Sequence, residues 1–112
     1  MLRTLKGDKK IETLFEKGFF IKEGDFLLKA YDFNDDETLF GVSVSKRLFK
    51  SAVIRNKLKR RVKESVRKNP RINDIKKGAS FFLIYNTSKE YSFQIIDKKI
   101  CSLIDKLISK IN

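Results

Sequence analysis

Apolar residues recur along this chain with two different spacings, and each change of spacing marks an element boundary. Ile11, Leu14 and Phe15 follow helical spacing after a short basic lead, so a first helix is expected between a capping Asp8 and a left-handed stop at Gly18. From Phe19 to Phe33 the chain is rich in Phe, Leu, Ile and Tyr, is interrupted by Glu23-Gly24-Asp25, and runs into the polar turn Asn34-Asp35-Asp36-Glu37. Leu39 to Ser45 then alternates around Phe40, Val42 and Val44. Strand, turn and strand follow from this pattern.

Residues 51 to 68 open at a capping Ser51 and continue without Gly or Pro to Asn69-Pro70, which predicts a helix with a defined stop. At 100° per residue Ile54, Leu58, Val62 and Val66 fall on one arc, and Asn56, Lys59, Arg60, Lys63 and Arg67 fall opposite. One face belongs to a core and the other is cationic. Ser80 to Tyr85 is a short, unbroken apolar and aromatic run after Gly78-Ala79, as expected of a central strand buried on both sides. Phe93, Ile96, Ile100, Leu103, Ile104, Leu107 and Ile111 mark a last amphipathic helix that begins near Ser88 or Ser92. The predicted order is helix, two or three strands, helix, strand, helix.

Length and composition then limit the function. With 112 residues, 41% of them apolar, the chain supports one core, so 1–112 reads as a single domain. No apolar run approaches the roughly 18–20 residues that cross a bilayer, and the N-terminus lacks a signal peptide's pattern, which predicts a cytoplasmic protein without a membrane partner. The absence of histidine removes the commonest general base and transition-metal ligand. The single Cys101, in an apolar helical segment, reads as a small packed thiol. The acids Asp32, Asp35, Asp36 and Glu37 read as a solvated turn in preference to a weak Mg²⁺ site. Catalysis by the chain's own side chains is not expected.

Charge points to a partner. The 26 Lys and Arg against 14 Asp and Glu leave a net charge of +12, and the segment 46–68 holds eleven of the cations with Glu64 as its one acid. A solvated surface mixes signs, whereas a one-signed face of this density suits a phosphate backbone and predicts steep salt dependence. RNA is favoured over DNA because a strand, not a helix and tight turn, precedes the cationic helix, which excludes a helix-turn-helix. Phe15, Phe19, Phe20, Phe26 and Phe40 offer stacking surfaces for unpaired bases, although most of them are expected in the core.

The segments Ser43-Val44-Ser45-Lys46 and Ala52-Val53-Ile54-Arg55-Asn56-Lys57-Leu58-Lys59-Arg60-Arg61-Val62-Lys63-Glu64 resemble the signature of the bacterial ribonuclease P protein. Arg55, Asn56, Lys59 and Arg60 match its Arg-Asn-x-x-Lys-Arg pattern, and Leu5-Lys6 with Ile11, Phe15 and Gly18 resembles its N-terminal helix. The likeness departs at Lys57 and at Lys63-Glu64, where the family usually has Arg and Arg-Glu or Arg-Gln, and at Ile11, frequently Phe. Lysine there keeps charge without arginine's planar fork.

The resemblance implies an α+β, single-domain α/β sandwich of order α-β-β-β-α-β-α with a left-handed βαβ crossover. It implies a surface for ribonuclease P RNA made of Lys46, Arg47, Arg55, Asn56, Lys57, Lys59, Arg60, Arg61, Lys63 and Arg67. It further implies a cleft for the 5′ leader of precursor tRNA at Ile11, Phe15, Phe19, Leu27, Lys29 and Lys46. The protein would be an accessory subunit of an endoribonuclease whose Mg²⁺ is held mainly by the RNA, with no DNA partner and with a holoenzyme dimer left open. A ribosome-associated RNA-binding protein, a self-sufficient nuclease and a DNA-binding regulator are the alternatives.

Overall fold

Two-residue turn chemistry fixes the first half of the sheet. In the computed structural model, which describes residues 3–5 and 7–111, Gly24 takes φ 59° at the first position of the Gly24-Asp25 turn and sets Glu23 opposite Phe26. That turn joins strand β2 (Phe19–Glu23) to β3 (Phe26–Asp32). Ahead of them lie a two-residue strand β1 (Arg3–Thr4) and helix α1 (Asp8–Lys17); after them come β4 (Leu39–Val44), α2 (Ala52–Lys68), a 3₁₀ turn (Ile72–Asp74), β5 (Ala79–Tyr85) and α3 (Phe93–Ile111). The sheet order is β1-β4-β5-β3-β2: β4 lies parallel to β5, and β3 pairs antiparallel with both β5 and β2. The expected α-β-β-β-α-β-α order is present, with α2 as the crossover between the parallel pair. β1 and the 3₁₀ turn are additions that patterns this short do not announce.

The two faces of the sheet are covered unequally. Phe26, Leu28 and Ala30 of β3, Phe40 and Val44 of β4, and Phe81, Leu83 and Tyr85 of β5 face α2 and α3, where Leu58, Val62, Val66, Ile96, Ile100, Leu103, Ile104 and Leu107 complete the main core. Among the described residues the opposite face receives only the ten-residue α1, whose fully buried Leu14 packs with Leu5 and Leu39, flanked by Ile11, Tyr31, Phe33 and Phe82. A short helix on a five-stranded sheet leaves part of that face open. No helix among the described residues is long and apolar enough to cross a membrane.

Local signals hold at α2 and α3 and change at α1. Ser51 Oγ accepts the Ile54 amide at 3.3 Å, α2 stops at Asn69 before Pro70, and Ser92 caps α3 through the Ile95 amide at 3.4 Å. At α1 the cap is Gly7, at φ 97°, so Asp8 is already the first helical residue and not the cap. Gly18 is not left-handed either. Its φ of −69° is open to any residue, but a Cβ there would lie 2.3 Å from Leu14 O and 2.6 Å from Ala30 O. Close approach of α1 to β3 is what requires glycine. Lys6, part of the N-terminal resemblance, lies outside the described residues.

Candidate nucleic-acid interface

Helix α2 divides its cations between two flanks. The buried side chains Leu58, Val62, Ser65 and Val66 turn toward the core, and Ser65 Oγ donates to Asp97 Oδ1 of α3 at 2.7 Å. On the flank toward α3 the cations are engaged within the fold. Lys57 pairs with Glu90, the Arg61 guanidinium donates to the Tyr91 carbonyl at 2.7 Å, and Lys68 pairs with Glu64 at 2.7 Å. The Lys57 ammonium beside Glu90 holds that carboxyl below its usual range.

The other flank carries Asn56, Lys59, Arg60, Lys63 and Arg67. None of its four cations pairs with an acid among the described residues, and Arg67 extends over the Phe40 ring at 5.6 Å, which places this flank on the β4 side. Arg55 stands between the flanks and serves the loop before it, donating to Phe49 O at 2.7 Å and to Lys50 O at 3.0 Å. Phe49 is itself buried against Tyr85, their ring centroids 5.8 Å apart. The loop therefore holds Lys46, Arg47 and Lys50 exposed on a fixed base. Of the ten sequence-assigned RNA-surface residues, seven remain available and Arg55, Lys57 and Arg61 have internal partners.

The open part of the α1 face is a second candidate surface. Strand register puts Gly41, Phe82, Lys29 and Phe20 in one row across the sheet, and Ser43, Ile84, Leu27 and Lys22 in the next. α1 ends beside these rows. Phe15, 37% exposed, meets Phe82 edge-on at 5.3 Å, and Phe20 is 55% exposed. Gly41 makes room for the Phe82 ring, since a Cβ there would lie 2.4 Å from it. Of the sequence-assigned cleft residues, Phe15, Leu27 and Lys29 fall here, and Lys46 follows β4 as an exposed turn residue.

Two assignments change. Phe19 points the other way, packing on the main core beneath Lys110, whose Nζ lies 5.0 Å from the ring centre; adjacent strand residues alternate faces, so Phe20 takes its place. Ile11 is half-buried in the smaller core with Leu5, Leu14 and Leu39, which makes it a support under α1 before it is a contact. Phe82, Ile84, Ser43 and Lys22 were not assigned to the cleft from sequence, and Phe20 was named only among five candidate stacking rings. The hairpin register could have found Phe20 and Lys22, because Glu23 opposite Phe26 places Lys22 opposite Leu27 and Phe20 opposite Lys29.

Two carboxylates of the acidic turn are engaged by lysines. Asp35 bonds Lys10 at 2.7 Å, Asp32 bonds Lys76 at 2.5 Å, and both carboxyls sit below their usual range because of those ammonium partners. Among the described residues no group of three Asp, Glu, Cys or His is arranged for a metal. Cys101 is half-buried, accepts a bond from Asn69 Nδ2 at 3.5 Å, and burial raises its thiol pKa, which suits packing over reactivity.

The family model for ribonuclease P matches residues 2–108. This chain belongs to the bacterial ribonuclease P protein family. A ribonuclease P protein component from Rickettsia canadensis is 28% identical over 116 residues, covering 96% of this chain and 98% of its own length. One from Clostridium botulinum is 42% identical over 67 residues, a stretch spanning 59% of either chain. The solved ribonuclease P protein of Thermotoga maritima, 23% identical, superposes with a TM-score of 0.75 over 96% of both chains. The ribonuclease P protein fold accounts for the mixed sheet with its parallel β4–β5 pair.

Proposed function

We propose that this chain is the protein subunit of bacterial ribonuclease P, in which it binds the RNA subunit and the 5′ leader of precursor tRNA. Membership of the family supports the subunit role, and ribonuclease P RNA is then its partner. One observation carries the finer reading: the fold segregates an unpaired cationic flank on α2 from an open aromatic cleft on the opposite face of the sheet. The first suits the phosphates of a structured RNA, and the second suits a single strand whose bases stack on rings.

In this reading Asn56, Lys59, Arg60, Lys63 and Arg67, with Lys46 and Arg47 on the adjoining turn, meet the RNA subunit. Phe15, Phe20, Phe82 and Leu27 receive the leader. Bringing two polyanions together costs repulsion that this face offsets, so the protein raises the affinity of the RNA enzyme for its substrate. The hydrolytic chemistry, with its Mg²⁺, belongs to the RNA; Asp35 and Asp32 of the chain's acidic turn are engaged by Lys10 and Lys76.

The test is reconstitution. At low Mg²⁺, where a bacterial ribonuclease P RNA alone is slow, the purified protein is expected to accelerate leader removal strongly, and Arg60→Ala or Lys59→Ala is expected to remove much of that gain. Tight RNA binding with no acceleration would instead identify a ribosome-associated binding protein.

A further inference from the structure

The cleft contains one cation that is not available to a ligand. Lys29 is 8% exposed, yet it lies on the open face of β3, between Phe82 of β5 and Phe20 of β2. Its ammonium donates to the carbonyl of Phe15, and its Nζ lies 4.2 Å from the Phe20 ring centre and 5.4 Å from that of Phe15. Phe15 O belongs to the last turn of α1, where carbonyls lack helical partners and carry the negative end of the helix dipole. A buried ammonium needs compensation, and here one carbonyl and two ring faces supply it.

We propose that Lys29 is a positioning residue of the leader cleft: it ties the C-terminal turn of α1 to β3 and holds the Phe15 and Phe20 rings on either side of itself, setting the spacing of the stacking surface without touching leader phosphate. The inference rests on the leader-binding reading for its consequence, but not for its geometry. Reaching a phosphate would require Lys29 to release Phe15 O and leave both rings. Lys22, one row further along the same face, is exposed and its ammonium has no acid partner among the described residues, so Lys22 supplies charge to this part of the cleft.

Two measurements separate positioning from contact. In the free protein, amide hydrogen exchange across the end of α1, with Gly18 N–H on Leu14 O as reporter, is expected to quicken about tenfold in Lys29→Met and to recover in Lys29→Arg. Phe20→Leu, at an exposed position, is expected to give a smaller quickening without unfolding. In the reconstituted holoenzyme, Lys29→Met is expected to weaken binding of a long-leader precursor tRNA while the slope of log affinity against log salt stays at the parent value. Lys22→Met is expected to lower that slope by about 0.7, the loss of one single-strand phosphate contact.

Unchanged exchange at α1 in Lys29→Met would overturn the proposal, as would a slope change equal to that of Lys22→Met. If the parent holoenzyme shows no preference for a long leader, the functional reading falls, and the exchange result in the free protein still decides whether Lys29 pins α1.

Discussion

Cations of equal formal charge on α2 differ in what holds them. Lys63 and Lys59 have no acid partner among the described residues, whereas Lys57 faces Glu90 and Arg61 holds the Tyr91 carbonyl. A phosphate contact releases condensed counterions, so Lys59→Ala, Arg60→Ala and Lys63→Ala are each expected to weaken RNA binding and to reduce the salt slope by about one. Arg61→Ala is expected to leave the slope near the parent value and to lower folding stability by about 1–2 kcal/mol through the lost charged hydrogen bond. Salt titrations of RNA affinity beside urea melts check both, and equal slope losses at Arg61 and Lys63 would refute the division. The sequence showed that residues 46–68 are cationic and which arc faces away from the core. It did not show which cations are free, because Glu90 and Tyr91 O come from another segment and the Phe49 carbonyl reaches Arg55 only once the loop before α2 is folded.

The same limit operates between elements, where a loop with no pattern of its own joins three of them. Tyr85, fully buried at the end of β5, donates its hydroxyl to Lys89 O at 2.6 Å and accepts the Tyr91 amide at 2.9 Å, closing residues 86–91 into a fixed loop. Tyr91 then donates to Asp25 Oδ2 at 2.7 Å in the β2–β3 turn, while Glu90 and Tyr91 O hold Lys57 and Arg61 of α2. Tyr85→Phe removes one hydroxyl and leaves a partly buried carbonyl and amide without it, so a loss of about 1–3 kcal/mol is expected in urea unfolding. Amides of 89–91 are expected to exchange faster as well. A variant as stable as its parent would show that the hydroxyl does not hold the loop. From sequence Tyr85 was legible only as a strand residue. Helix α2 was legible almost entirely, because Ser51, the apolar arc and Pro70 are local signals. Face assignment in β2 was not, since Phe19, Phe20 and Ile21 are apolar on both sides of the alternation.

Over the whole molecule, charge is distributed so that acids tie elements together and most unpaired cations face outward. Asp35 joins the turn after β3 to Lys10 of α1, Asp32 joins the end of β3 to Lys76, Glu23 of β2 takes Lys106 of α3, and Glu90 takes Lys57 of α2. Each of these carboxyls is held below its usual value, chiefly by the hydrogen bond from its lysine; Asp25 is also lowered, although burial pushes it upward, because Tyr91 and Lys99 outweigh that push. A carboxyl lowered in the folded state binds a proton more readily in the unfolded chain. Its stabilisation is therefore complete above the unfolded value, about 4, and is lost as pH falls through the lower folded value. Protonation also removes up to 14 negative charges from a chain with 26 Lys and Arg, so repulsion rises as the ties fail. The melting temperature is expected to stay level from about pH 5 to 8, where no histidine is present to titrate, and to fall steeply below about pH 4. Added polyanion should restore part of the loss by screening the cationic flank of α2, and should do so less in Lys59→Ala/Lys63→Ala. Thermal melts across that range check the sign, and a melting temperature that held level down to pH 2.5 would mean that the ion pairs between elements contribute nothing to holding α1 and α3 on the sheet.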